Sequence, residues 1–325
     1  MRWWSACSRR YRHRGAACAD VRSAPTPAAA SADLLPPGLL AGLGGLEVVA
    51  RQVVRGFVAG LHRSPFHGAG EEFTRHRAYQ QGDEVRHLDW RLFGRTDRLY
   101  VKEFRHDSNL QSYLLIDASA SMGFGEDPSK LRYASYVAAA LAHLMLRSGD
   151  AVGLAATGLA EGDRARLLLS PRNRVGQLHD VLLALEALRA EGRGSLADAL
   201  GSVGQALRRQ GRVIVISDLL DPDDGTALLE AIGQLRARGD EVIAFRVATP
   251  EELGERPLPP ARFYDPEQPS RATPAAPAAD PGFRDRVAAY YDGLVGGFRE
   301  RGAELERLTT TDPIARALRA WVAAR

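Results

Sequence analysis

The sequence predicts an α/β fold: a doubly wound, mostly parallel sheet with helices on both faces, joined to a small β-containing N-terminal lobe. Three observations predict it. From residue 112 onward, short apolar runs alternate with longer stretches of helical periodicity, the pattern of βαβ units. Two of the runs, Leu114 to Ile116 and Val213 to Ile216, are unbroken and lead into acids, Asp117 and Asp218. Strands buried on both faces read this way, and ligands of doubly wound sheets bind beyond the carboxyl ends of the strands. Residues 51–105 differ: they hold eleven Arg/Lys, seven Asp/Glu and four of the eight histidines, with aromatics in short alternations. Such stretches, punctuated by Gly and Pro, read as β-hairpins.

In chain order, residues 1–33 lack periodicity and end in Ala, Pro and Ser; they are expected to form a disordered basic tail. Arg9 to Arg14 interrupt any apolar core a signal peptide would need. Leu34 to Gly60 is a helical lead-in, with Leu46, Val49, Val53 and Phe57 near helical spacing. The lobe, with its lead-in, runs over 34–107 and the α/β domain over 108–325. Lys130 to Arg147 is a helix with Leu131, Ala134, Ala138, Leu141 and Met145 on one face. Strands follow at 151–156 and 166–169, then helices at 175–188 and 196–209. Strand 213–217, helix 226–238 with Gly239 as its stop, and strand 241–247 come next. Residues 250–281 are proline-rich and read as an extended connection. Helix 283–301, strand 304–309 and a helix from Pro313 to Ala324 close the chain.

Composition bounds the function. The chain is +3 overall, but residues 1–22 carry six arginines and one acid, hence +5, so the remainder carries −2. That removes the electrostatic support for nucleic-acid binding. No apolar run reaches the ~18 residues of a membrane span. The two cysteines, Cys7 and Cys18, both lie in the tail, which suits a reducing cytoplasmic setting. Lysine occurs only at Lys102 and Lys130 among 43 basic residues, read as a bias of genome composition.

The chemistry concentrates in Asp117-Ala118-Ser119-Ala120-Ser121. Carboxylate, hydroxyl and hydroxyl at i, i+2 and i+4 after a strand can aim at one point. Such hard, oxygen-only donors suit Mg²⁺, Mn²⁺ or Ca²⁺. The plain alternative is a capped turn serving a helix N-terminus. Gly192-Arg193-Gly194-Ser195 is a Gly-rich loop opening a helix, and Asp218 closes a later strand. Asp221, Asp223 and Asp224 read as a solvated turn before the next helix, or as a second layer of carboxylates.

These three parts, in this order, resemble the metal-ion-dependent adhesion site of von Willebrand factor A domains, with Ser195 where that pattern has Thr. The resemblance implies Asp117, Ser119, Ser121, Ser195 and Asp218 as the metal set. It also implies an open coordination position for a partner's carboxylate. Gly82-Asp83-Glu84-Val85-Arg86-His87-Leu88-Asp89-Trp90-Arg91, ahead of that strand, extends it. The combination resembles the bacterial family DUF58 over about residues 35–325. Membership implies a von Willebrand A-like domain and work beside a MoxR-type AAA+ ATPase as an adaptor. Arg86, Asp89, Trp90 and Arg91 then stand either for an ion-paired network at a lobe boundary or for partner recognition. His62, His67, His76 and His87 have no zinc-like spacing.

Enzyme readings meet absences. Position 119 is Ser where an Asp-x-Asp phosphotransferase needs its second acid, and neither a Gly-x-x-x-x-Gly-Lys loop nor a Gly-x-Ser-x-Gly elbow occurs. The expectation is a protein-binding adaptor and no enzyme. A Mg²⁺-dependent hydrolase at the same loop, and a domain with a vestigial site, are the alternatives.

Overall fold

A computed structural model describes residues 45–61, 72–79, 90–105, 110–125, 128–159, 165–208, 210–220, 225–256, 263–264, 272–273 and 282–323. The expectations for residues 1–33, Arg86, Asp89, Asp221, Asp223 and Asp224, and much of the proline-rich connection, lie outside these residues.

Helix α1 (Leu46–Leu61) leads in. Strand β1 (Glu72–Ala78) pairs antiparallel with β2 (Tyr100–Arg105), with Ala78 opposite Tyr100 and Glu72 opposite Arg105. Between them lies a short helix, α2 (Trp90–Thr96), where the sequence reading expected only hairpins. The domain proper contains β3 (Gln111–Asp117), a 3₁₀ turn (Ala120–Gly123), α3 (Lys130–Arg147), β4 (Ala151–Thr157), β5 (Arg166–Arg172), α4 (Gln177–Ala187) and α5 (Leu196–Ala206). It continues with β6 (Arg212–Ser217), α6 (Thr226–Ala237), β7 (Glu241–Ala248), the short β8 (Phe263–Tyr264) and β9 (Ala272–Thr273), α7 (Phe283–Glu300), β10 (Glu304–Thr309) and α8 (Ala315–Ala323).

Six strands form one sheet in the order β10-β7-β6-β3-β4-β5. All neighbours are parallel except β4 and β5. This is the doubly wound, mostly parallel sheet expected of a von Willebrand A-like domain. The antiparallel edge has a simple cause: eight residues separate Thr157 from Arg166, too few for a helical crossover.

Each buried strand divides its side chains between two cores, because successive residues point to opposite faces. Leu114, Ile116, Ile214, Ile216, Phe245 and Val247 pack on one side with α1, α3, α4 and α8. Tyr113, Leu115, Val213, Val215, Val242 and Ala244 pack on the other with α5, α6 and α7. Helix α3 is buried along most of its length, which its alanine-rich sequence permits between the sheet and α1. Ser129 caps it by accepting from the Arg132 N–H at 3.3 Å. Among the described residues no helix is long and apolar enough to cross a membrane.

Candidate functional site at the carboxyl ends of the central strands

Strand β3 lies between β6 and β4, so Asp117 is delivered to the carboxyl edge of the sheet at its middle. The side chain is 5% exposed. Its Oδ1 accepts the Ser119 N–H at 2.9 Å, closing an Asx turn. Its Oδ2 accepts the Ser217 hydroxyl at 2.6 Å, and Ser217 Oγ in turn accepts the Leu219 N–H at 2.9 Å. The chain then enters the 3₁₀ turn, where the Ser119 and Ser121 hydroxyls stand 3.0 Å apart.

The Gly-rich loop comes to the same place. Ala120 N–H donates to the Gly192 carbonyl at 2.8 Å, and Gly192 N–H donates to the Gly158 carbonyl at 3.1 Å. A Cβ on Gly194 would sit 2.5 Å from both Thr157 Oγ1 and the Gly158 nitrogen, so only glycine permits this approach. Ser195 follows as the cap of α5, its Oγ accepting the Asp198 N–H at 3.1 Å. Ser195 thus spends one lone pair of its oxygen on the cap, whereas Ser119, at the start of the 3₁₀ turn, makes no side-chain cap bond. Thr157, opposite Asp117 in the parallel register, is fully buried and its Oγ1 has no hydrogen-bond partner among the described residues.

Asp218 stands one residue beyond β6 and is 1% exposed. Its Oδ2 accepts from the Lys130 ammonium at 2.7 Å and its Oδ1 from the Leu220 N–H at 3.2 Å. Lys130, itself 0% exposed, also donates to Glu252 at 2.5 Å. Glu252 is fixed in return: its Oε2 accepts the Thr249 N–H while its own N–H donates to Thr249 Oγ1. Helix α7 secures the turn after Asp218, with the Tyr291 and Tyr290 hydroxyls donating to the Asp218 and Leu219 carbonyls at 3.2 and 2.7 Å. Leu219 takes a φ of +57°, uncommon for a side chain of its size.

The electrostatics follow from burial. Desolvation, then the charge of Asp218, push the Asp117 carboxyl up to about 6, against the pull of its bonds from Ser217 and Ser119. Burial pulls the Lys130 ammonium down, but Asp218 and Glu252 outweigh it and hold it above the ordinary lysine value. Arg246 on β7, stacked 4.6 Å over the Tyr291 ring, is lowered by burial.

The structure therefore gathers Asp117, Ser119, Ser121 and the 192–195 loop at one edge, with the Asp218 carboxylate within electrostatic reach of Asp117 but bound to Lys130. Carboxylate and hydroxyl oxygens beside an orphaned Thr157 hydroxyl fit a hard cation. Among the described residues no group of three or more His, Cys, Asp or Glu is placed to hold a metal. A site built mainly from serine hydroxyls falls outside that class. Sequence reasoning missed Lys130, Glu252, Ser217 and Thr157. Of these, only Lys130 carried a signal, as one of two lysines in an arginine-rich chain. Of the second candidate set, Trp90 opens α2, is 59% exposed and meets Phe93 edge-to-face at 6.2 Å; Arg91 shares that helix.

The family described as "Protein of unknown function DUF58" matches residues 75–288. A Mycobacterium tuberculosis H37Rv protein, "Uncharacterized protein Rv1480", is 33% identical over 232 residues, 70% of this chain and 70% of the relative. "Uncharacterized protein YeaD" of Bacillus subtilis is 34% identical over 95 residues, 27% of this chain and 22% of its own length. Among solved structures the chain is similar to BatB from Bacteroides thetaiotaomicron, at 16% identity and a TM-score of 0.45 over 66% of this chain and all of that one. It is also similar to the SpRpn10 VWA domain, at 13% identity and a TM-score of 0.41 over 65% of this chain and 95% of that one.

Proposed function

We propose, for a chain that belongs to the DUF58 family, that it is a protein-binding adaptor whose contact point is a divalent cation. Mg²⁺ is the first choice, and Mn²⁺ or Ca²⁺ suit the same donors. Asp117, Ser119 and Ser121 would hold it, with Ser195 and Asp218 beside them. The observation that carries this reading is the convergence of Asp117, the paired serine hydroxyls and the 192–195 loop, parts of the chain about 75 residues apart, at one edge of the sheet. Among the described residues no cationic side chain pairs with the buried Asp117, and Asp218 adds to its charge rather than relieving it. A bound cation would stabilise that carboxylate and leave room for an acid from another protein.

The resemblance that led to the site supplies the partner class: a MoxR-type AAA+ ATPase that the adaptor would serve in assembling or activating other proteins. Hydroxyls and a hydrogen-bonded carboxylate can hold a hard cation, and they present no activated nucleophile. A second reading, binding by surface shape without metal, is favoured by one observation: both Asp218 oxygens already have donors.

The test is co-purification of the tagged chain from its native host, with and without EDTA, using wild type and Ser121→Ala. The adaptor reading expects an ATPase that is retained by wild type and lost with either EDTA or the substitution. Retention under all conditions supports the metal-free reading. Metal-dependent phosphatase, nuclease or peptidase turnover by the purified chain, lost in Asp218→Ala while partner binding persists, replaces the adaptor with a hydrolase.

A further inference from the structure

Lys130 stands where a cation is doubly disfavoured. Its side chain is 0% exposed, and taking an ammonium out of water is costly unless it is paired. It is also the first residue of α3, the positive end of an 18-residue helix. Two carboxylates offset both costs, Asp218 at 2.7 Å and Glu252 at 2.5 Å. They come from residues 88 and 122 positions away, so the triad is built by the fold and not by local sequence. Elsewhere this chain uses arginine almost exclusively. A guanidinium is a broad planar fork, whereas an ammonium is a compact charge that can meet two carboxylates in a closed space.

The charges at this end of the sheet divide unevenly. Asp218 and Glu252 share Lys130, and Arg246, stacked on Tyr291, faces Glu252 from β7. Among the described residues Asp117 has neutral donors only, Ser217 Oγ–H and Ser119 N–H, and it feels Asp218 as a like charge. The strand-end carboxylate next to the serine loop is thus already occupied by a positive charge that belongs to the protein.

We propose that the Lys130 ammonium is a tethered cation of the site, which holds Asp218 away from any ion at Asp117 and thereby limits how tightly a divalent ion binds there. The inference rests on the metal reading above and deepens it. Asp218 is a reserve carboxylate. While Lys130 holds it, the ion has one anionic ligand in Asp117; when Lys130 is removed, Asp218 becomes a second. An adaptor that must exchange partners gains from a weakly held ion, since each partner carboxylate then contributes a larger share of the shell.

The experiment is calorimetric titration of the purified full chain with MnCl₂, with thermal melts in Mn²⁺ and in EDTA as a second readout. Lys130→Met should bind Mn²⁺ at least about tenfold more tightly than wild type, the scale of one charge felt through protein. Its melting temperature should fall in EDTA and recover with Mn²⁺ by more than wild type gains. Should Lys130→Met fail to fold, Glu252→Gln reports instead, because Glu252 is partly exposed and lies outside the central strands. That variant leaves Lys130 to Asp218 alone and should weaken Mn²⁺ binding severalfold. Wild-type binding with equal or weaker affinity in Lys130→Met, or with unchanged affinity in Glu252→Gln, overturns the tethered cation and leaves the metal site standing. No binding by wild type but clear binding by Lys130→Met overturns the metal contact in the native chain and supports the tether. Absence of binding in every variant overturns both.

Discussion

Replacing Asp117 with Asn should stabilise the metal-free protein at neutral pH, although it deletes the central acid of the site. A carboxyl held at about 6 in the fold, against an ordinary 3.8, costs the fold about 3 kcal/mol at pH 7. Asparagine removes that cost and keeps an oxygen for the Ser119 N–H, 2.9 Å away. It loses the charge-assisted bond from Ser217, whose oxygen already accepts from Leu219, a loss of about 1 kcal/mol. The balance is a gain of roughly 1–2 kcal/mol in EDTA at pH 7, or a few degrees in melting temperature. The pH dependence has a definite sign. The folded value is raised, so the stability that Asp117 contributes is complete below pH 3.8 and is lost as pH rises through 6. Below that window both chains are neutral at this position, the gain disappears, and the variant should be slightly the less stable of the two. Paired melts of wild type and Asp117→Asn in EDTA between pH 4 and 7.5 measure the difference directly. A variant less stable at pH 7, or a difference flat across this range, would refute the reasoning.

Gly194→Ala should be strongly destabilising, by about 2 kcal/mol or more, since its Cβ would press on Thr157 Oγ1 and on the Gly158 backbone at 2.5 Å. Urea titration gives the loss, and an unchanged midpoint would mean that the loops part without cost. Removal of residues 1–33, a tail without periodicity, should leave the melting temperature within a few degrees; a larger fall would show that the tail is part of the folded body.

The fold was legible wherever burial follows a simple period. The run Leu114 to Ile116 belongs to a strand because both faces of β3 are covered, and its end at Asp117 follows from the shift to Ser and Ala. Helix α3 and strand β10 fall where the sequence places them. Helix α2 did not show itself. Its seven residues are too few for a helical period, and Gly94 weakens its propensity. Within the site, the Asp-x-Ser-x-Ser loop was readable because its members are local. Lys130 and Glu252 were not, since a lysine opening a helix and a glutamate in a proline-rich connection both read as solvated until the sheet brings them to Asp218. Thr157 was hidden for another reason. A threonine ending a strand looks like ordinary β-propensity, and that its hydroxyl is buried beside Gly194 without a partner among the described residues shows only in the fold.

The span of the bonds at this edge bears on how the chain reaches its native state. Ser217 reaches Asp117 across 100 residues, Lys130 reaches Asp218 across 88, and Glu252 lies 122 beyond Lys130. Contacts of such separation form late, after the intervening loops have been closed. On the ribosome, Asp117 therefore waits for at least a hundred further residues before its Ser217 donor exists. During that interval β4 can already cover one side of β3, but the β6 side stays open and the second oxygen of Asp117 lacks its Ser217 donor. A chain released between residues 218 and 252 keeps every part of the serine loop and the Lys130–Asp218 pair yet lacks Glu252, the second carboxylate on Lys130. Fragments that retain the motif should therefore fold poorly, and intact length is a condition of the site itself.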